Sequence, residues 1–340
     1  MVSHGERVNV GGPYFEDFEH GQVFDDAPGL TLTAGHAAVH QAVVGDRLAL
    51  PLDAHLTRSV TGRDLTLVHP NLVCDVAIGQ STGPTQRVLG NLFYRGLVLL
   101  RPVFLGDTLR TRTEVIGLKQ NRPRPDAAAT GLVALRVKTV DQNDEPVLDF
   151  FRCPMIPLRD QAARTGHADP FDEIPQDLEM HRVRNAVPAD WRYDALRDYR
   201  GSEDHLAAPG AVYRVEGRET VTSAPELARL TLNIARTHTD AAAGVHGHRL
   251  VYGGQTIGIA AAHASRAVPS MATIIAWRSC EHLGPVFEGD ILSTELTIGE
   301  THRLDHADAV LADLRAVVRA DRATERSREV LDWRFLSLVV

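Results

Sequence analysis

Cysteine is scarce in this 340-residue chain. Cys74, Cys153 and Cys280 are odd in number and form no C-x-x-C pair, which excludes a disulfide framework. Lysine is scarcer still: Lys119 and Lys138 are the only two, an arginine-over-lysine bias that reads as compositional rather than functional. No apolar run approaches the roughly 20 residues of a membrane span. The opening stretch has no basic segment followed by an apolar one, so no secretory leader is expected and the cytoplasm is the expected compartment. Positive charge is also in deficit, 36 Lys and Arg against 44 Asp and Glu, a net charge of −8. That argues against nucleic acid as a partner, while an anionic small ligand could still be held by locally gathered arginines. Phosphate-binding loops and dinucleotide glycine fingerprints are lacking.

The hydrophobic share of 44% with 24% charged residues belongs to a soluble globular protein, and the length suits two domains. The chain repeats itself. Pro102 to Leu109 (PVFLGDTL) returns as Pro285 to Leu292 (PVFEGDIL), and Val147-Leu148-Asp149 returns as Val330-Leu331-Asp332. Both pairs lie 183 residues apart, as do Arg95 and Arg278, each preceded by an aromatic residue. One offset held over that distance implies duplication of a folding unit. Upstream, Leu72-Val73 matches Leu250-Val251 at an offset of 178, taken as a loop-length change. The expected domains are 1–158 and 206–340, with 159–205 as a linker carrying a short helix near Trp191 to Tyr199.

Each copy reads as a capped helix, a loop, a second helix opening near Val76 or Gly254, then antiparallel strands. Strands over Leu132–Val140 and Val147–Cys153 flank the turn signal Gln142-Asn143-Asp144, and Gly106-Asp107 and Gly289-Asp290 read as tight turns. A long helix wrapped by an antiparallel sheet is an α+β arrangement.

In the second copy, Ser223 and Glu226 have capping-box spacing, and Leu227, Leu230 and Ile234 share one face of the helix they would start. Asn233 and His238 follow. On a continuous helix they would stand about 140° apart, so they converge only if the helix ends between them. Next comes Tyr252-Gly253-Gly254 at a helix start, whose backbone N–H groups can face a developing oxyanion. Two further patterns compete. Gly79-Gln80-Ser81-Thr82-Gly83 fits the nucleophile elbow G-x-S-x-G, but the repeat places it on a central helix rather than a strand-to-helix turn. His36 and His40 have zinc spacing without a third ligand, and with His238, His246 and His248 read as loop histidines, so no metal is expected.

The Asn233-x-x-Arg236-x-His238 form, the Arg249-to-Gly254 run, Gly106-to-Leu109 and Val115-to-Asn121 together resemble the MaoC-like (R)-specific enoyl-CoA hydratases. The likeness is greatest to the mesaconyl-CoA hydratase (β-methylmalyl-CoA dehydratase) branch and to an actinobacterial double-hotdog subgroup of unassigned substrate, and it covers nearly the whole chain. It implies a double hotdog fold, with the active pair in the second half. It also implies hydro-lyase chemistry on an enoyl-CoA or 3-hydroxyacyl-CoA thioester, with an acyl group that could be branched or dicarboxylic, such as mesaconyl. Its alternatives are an acyl-thioester binding protein without turnover, and a hotdog thioesterase.

The resemblance makes His238 the base that polarises water and Asn233 the group that orients it. It places the oxyanion donors on Gly253 and Gly254. Tyr252, Gln255, Arg236, Arg249 and Arg278 become candidates for substrate contact, the arginines for coenzyme A phosphates. No cofactor is implied beyond the coenzyme A of the substrate, and a homodimer is an allowed assembly. Two departures stand out: Asn233 replaces the family's Asp, and Gln255 stands where mesaconyl-type chains often carry His. Aligning Thr33 with Thr222 puts Val44 opposite Asn233 and Ala49 opposite His238, and Cys74-Asp75-Val76 opposite Tyr252-Gly253-Gly254. The first copy is therefore expected to lack the polar pair and to shape the acyl or pantetheine tunnel.

Overall fold

A computed structural model of the chain describes residues 10–124, 128–200, 206–304, 307–322 and 325–340. Most of the opening stretch that was read as free of a leader lies outside them. The first part of the chain runs β1 (Val23–Phe24), β2 (Leu30–Thr31), α1 (Ala34–Val44), α2 (Ala49–Leu52), α3 (Ala54–Thr61) and α4 (Pro70–Gln80). It continues through β3 (Gly90–Leu99), β4 (Thr108–Gln120), β5 (Thr130–Val140) and β6 (Pro146–Pro157). Two helices follow, α5 (Met180–Ala186) and α6 (Tyr193–Arg200). The remainder runs β7 (Val212–Thr220), α7 (Ala224–Leu230), α8 (Gly253–Ala267), β8 (Met271–His282), β9 (Ile291–Leu304), β10 (Ala307–Arg322) and β11 (Glu325–Val339).

The strands form one antiparallel sheet in the order β1-β4-β5-β6-β3-β8-β11-β10-β9-β7, with β2 paired to β4. The order is a palindrome about β3 and β8, which join the halves through pairs such as Arg95 with Ser279 and Leu97 with Trp277. Alternation drives the strands to curl: along β9, Leu292, Thr294, Leu296 and Ile298 point inward and their neighbours are half-exposed. Every residue of α4 is buried, as are Gly254 to Ser265 of α8, so each helix is the filling of its half rather than a surface helix. This is the double hotdog arrangement that the resemblance implied.

The expected hairpin forms between β5 and β6, with Asp141 accepting from the N–H groups of Asn143 and Glu145 and Asp144 at φ 62°. Gly106 and Gly289 turn at φ 103° and 88°, where only glycine is unstrained.

The upstream offset of 178 is corrected. Tyr252 caps α8 at φ −59°, ψ 128°, and His69 caps α4 at φ −59°, ψ 130°. These residues are 183 apart, so Leu67-Val68, not Leu72-Val73, matches Leu250-Val251. Hydrogen bonds agree: the Val68 N–H donates to Val103, and Val251 to Val286. Gln80, bonded to Thr111, likewise matches His263, bonded to Thr294. Helix α4 therefore opens at Pro70, not near Val76, and His69-Pro70-Asn71 replaces Tyr252-Gly253-Gly254.

Two other local expectations change. Ser223 sits at φ 58° and makes no side-chain cap; Glu288 accepts from the Ala224 N–H instead, and α7 stops at Leu230, leaving Ile234 exposed. The 159–205 tract is more than a tether. Its Val183, Trp191, Tyr193 and Leu196 are buried with Ile275, Leu311 and Leu336.

Candidate functional site

The second copy's polar loop is held by the first copy. After α7 ends, Leu232 takes φ 59°, and the chain reverses into a single helical turn, Arg236–His238. Thr82 accepts from the Ile234 N–H at 3.0 Å, and Gln86 accepts from the Arg236 N–H at 2.9 Å. Gly79 makes this docking fit: a Cβ there would lie 1.8 Å from the Thr231 carbonyl oxygen. The G-x-S-x-G pattern thus ends a helix, as its buried Ser81 donates back to Ile78. It serves as a cradle, not a nucleophile elbow.

The reversal brings Asn233 and His238 to one cavity of about 280 Å³, shared with Tyr252 and Gly253. His238 Nδ1 lies 3.0 Å from the Leu250 carbonyl. A carbonyl only accepts, so Nδ1 carries the proton and Nε2 keeps its lone pair. Burial, aided by the nearby Arg152 charge and opposed by the Leu250 contact, pushes the His238 pKa down to about 4. The imidazole is neutral at pH 7. Asn233, 3% exposed, uses Oδ1 to accept from the Ala235 N–H at 3.0 Å, which leaves its NH₂ as a donor. The Tyr252 ring lies 5.5 Å from that of His238, and its hydroxyl donates to the Asp75 carbonyl.

The two glycines serve different neighbours. A Cβ on Gly253 would strike the His282 ring at 2.5 Å, and one on Gly254 would meet the Asp75 carboxylate at 2.0 Å. As the first residues of α8 their N–H groups have no intrahelical acceptor. Gln255 points away from the cavity and donates to the Thr222 carbonyl at 2.6 Å. Arg236 is exposed and pairs with Asp240, while Arg249 pairs with Glu288 at 2.7 Å. Arg278 lies elsewhere, paired with Asp313 and Asp177 beside a separate surface depression.

Among the cavity residues that sequence reasoning missed are His282 and Arg152. His282 ends β8 with its Nε2 buried and without a partner among the described residues, its pKa lowered to about 4 by burial and by His238. Its only signal was a histidine closing an apolar strand. Arg152 comes from β6, flanked by the buried Phe151 and Cys153, and that setting was its signal.

The first copy is not stripped of polar groups. His69 Nε2 donates to buried Asp46 at 3.0 Å, and His40 lies 3.5 Å from buried Asp75. His36 bonds Thr33, so the two zinc-spaced histidines serve different partners and His40 is a core residue. The cavity equivalent to the 280 Å³ one does exist, lined by Leu67, Val68, Pro70 and Leu99 where the other has Leu250, Val251, Gly253 and His282. It is reduced to about 30 Å³ by Ala186, Pro188 and Trp191.

The mesaconyl-CoA hydratase family model matches residues 4–279. The β-methylmalyl-CoA dehydratase of Chloroflexus aurantiacus is 30% identical over 83% of this chain and 80% of its own. The mesaconyl-CoA hydratase of Cereibacter sphaeroides is 29% identical over 82% and 81%. Among solved structures, a conserved hypothetical protein of Mycobacterium tuberculosis, described as a double hotdog, superposes with TM-score 0.88 at 47% identity, over 98% of this chain and 100% of its own. A MaoC-domain dehydratase described as putative, from Chloroflexus aurantiacus, gives 0.85 at 26% identity over 98% and 99%. By its family model and by its sequence relatives, the chain belongs to the mesaconyl-CoA hydratase family.

Proposed function

We propose that the chain is a hydro-lyase that adds water to, or removes it from, a short acyl-CoA thioester of the mesaconyl kind. One observation carries the reading. A neutral imidazole with a free Nε2 and an amide with a free NH₂ line the same cavity as the N-terminus of a buried helix. At about 280 Å³ the cavity is at the small end of ligand pockets, which suits a short acyl group rather than a long chain.

Asn233 donates to the oxygen of a water and His238 Nε2 takes one of its protons. The oxygen attacks the β-carbon, and the π electrons move onto the thioester oxygen. The Gly253 and Gly254 N–H groups face that oxyanion, where preorganised donors are worth most. The proton then passes from His238 to the α-carbon, a transfer favoured by an imidazole of low pKa. Residues 1–158 supply one wall of the site and 206–340 the reacting groups. Arg236 and Arg249 adjoin the lining residues Ala235 and Leu250 and are proposed for the coenzyme A phosphates. The chemistry calls for no group beyond the coenzyme A that the substrate carries. A thioesterase reading would want an activating carboxylate, and among the described residues none lines the cavity.

The test is hydration of mesaconyl-CoA and crotonyl-CoA, followed by loss of the conjugated thioester. Wild type should turn over, and His238→Ala should lose at least about 10² in kcat while keeping its fold. Binding without turnover by wild type would leave a thioester-binding protein, and release of free thiol a thioesterase.

A further inference from the structure

Arg152 is the charged residue of the cavity, and the hydration step does not use it. It is 3% exposed, in the middle of β6, and faces the cavity next to Tyr94. Its Nη2 donates to the Ser81 carbonyl at 2.9 Å and to Thr85 Oγ1 at 2.6 Å, both neutral acceptors. Its Nε has no partner among the described residues. No carboxylate pairs with it among them either; the nearest acidic residue on its strand, Asp149, is taken by Arg136 and Arg182. Elsewhere on the sheet, arginines meet acids, as in Arg278 with Asp313 and Arg315 with Asp332. A guanidinium withdrawn from water without a counter-ion is costly, and a cavity that keeps one is built for an anion.

The duplication supplies an internal control. Tyr94 pairs with Arg152 across β3 and β6, and Trp277 with Phe335 across β8 and β11, each member 183 residues from its counterpart. The half-cavity that stays open keeps the cation. The one closed by Trp191 has a phenylalanine at that position.

We propose that Arg152 receives a free carboxylate carried by the acyl group, and so selects dicarboxylic mono-thioesters over plain enoyl-CoAs at the site described above. The bonds to Ser81 and Thr85 spend both Nη2 protons and would hold the guanidinium in place beside the Tyr94 hydroxyl, leaving the Nη1 N–H groups to meet the carboxylate. The assignment rests on the proposed function only for which molecule brings the carboxylate.

Its first test is therefore independent of turnover. Succinyl-CoA and butyryl-CoA have equal chain length and differ in the free carboxylate, and titration calorimetry on the wild-type protein measures both. Succinyl-CoA should bind at least about 30-fold more tightly, the range expected of a charge-assisted pair. Equal affinity, or preference for butyryl-CoA, overturns the assignment even if hydration is observed. In the second, Arg152→Gln should lower the ratio of kcat/KM for mesaconyl-CoA to that for crotonyl-CoA by at least about 30-fold, and Arg152→Lys should restore part of it. A ratio unchanged in folded Arg152→Gln also overturns it. Should Arg152→Gln fail to fold, the wild-type affinities decide. Absence of turnover in wild type with a strong succinyl-CoA preference would sink the hydratase reading and leave Arg152 as the carboxylate site.

Discussion

At the scale of single residues, the site turns on which atoms are already spent. Asn233 could have faced the cavity with either end of its amide, but the Ala235 N–H engages Oδ1, and the NH₂ end is the one left without a protein partner among the described residues. Replacing it by Asp keeps that bond and turns a donor into a carboxylate oxygen beside His238. A neighbouring negative charge favours imidazolium, so the His238 pKa should rise from about 4 toward or above its ordinary 6.5. The acid limb of kcat/KM for mesaconyl-CoA should move up by at least about one pH unit in Asn233→Asp. An unmoved limb in an active mutant would show that residue 233 does not neighbour the base. In wild type the same limb should fall near pH 4 to 5, because the free-enzyme base is protonated only there. Asn233 and His238 were legible in the sequence as types and spacing. Arg152 and His282 were not, because a polar residue inside an apolar strand acquires meaning only when a cavity is found in front of it.

At the scale of elements, the loop that carries Asn233 and His238 is a product of helix termination. Helix α7 stops after seven residues at Leu230, and a left-handed Leu232 sends Asn233 inward. The surface that receives it is the C-terminal end of α4. Gly79→Ala would place a methyl 1.8 Å from the Thr231 oxygen. The loop or the helix must shift, which should cost roughly 1–3 kcal/mol of stability. Activity should fall further than stability explains, at least tenfold in kcat, since the displaced segment leads directly into Asn233. Chemical denaturation and turnover of the same preparation check both numbers; full activity would mean the loop tolerates the shift. The slip from 183 to 178 in the upstream repeat has a plain cause. Leu-Val occurs twice around the start of α4, at 67 and at 72, and the helix cap that distinguishes them is a backbone conformation, not a residue type.

At the scale of the molecule, duplication followed by divergence left two equivalent half-cavities unequal, one of about 280 Å³ and one of about 30 Å³. The open one is built from both halves, with Tyr94 and Arg152 on one side and His238 and Tyr252 on the other, so neither half holds the site alone. The core also stores uncharged histidines. His263 is fully buried against Thr294, and burial, with a smaller push from Arg266, lowers its pKa to about 4. Such a group binds its proton in the unfolded chain near pH 6.5 but in the folded one only near pH 4. Its contribution is whole above pH 6.5 and is lost progressively as pH falls toward 4, about 2 kcal/mol of it by pH 5. The melting temperature should therefore drop between pH 7 and 5, and His263→Gln should flatten that slope. A slope unchanged by the substitution would remove His263 as a source.

What the sequence determined by itself was whatever is repeated or local: the duplication, the hairpin and turn positions, the two buried helices, and the loop bearing Asn233 and His238. These follow from periodicity, turn chemistry and one offset, all of which involve residues close in the chain or copies of one another. Tertiary structure alone decided which cavity stays open, since that depends on Trp191, outside either repeat in the chain, packing at one half-site. It also decided that Gly253 and Gly254 make room for His282 and Asp75, and that Arg152, without a carboxylate partner among the described residues, lines the same cavity as Asn233 and His238. Those facts are distances between residues far apart in the chain, and they exist only once the sheet has closed around both helices.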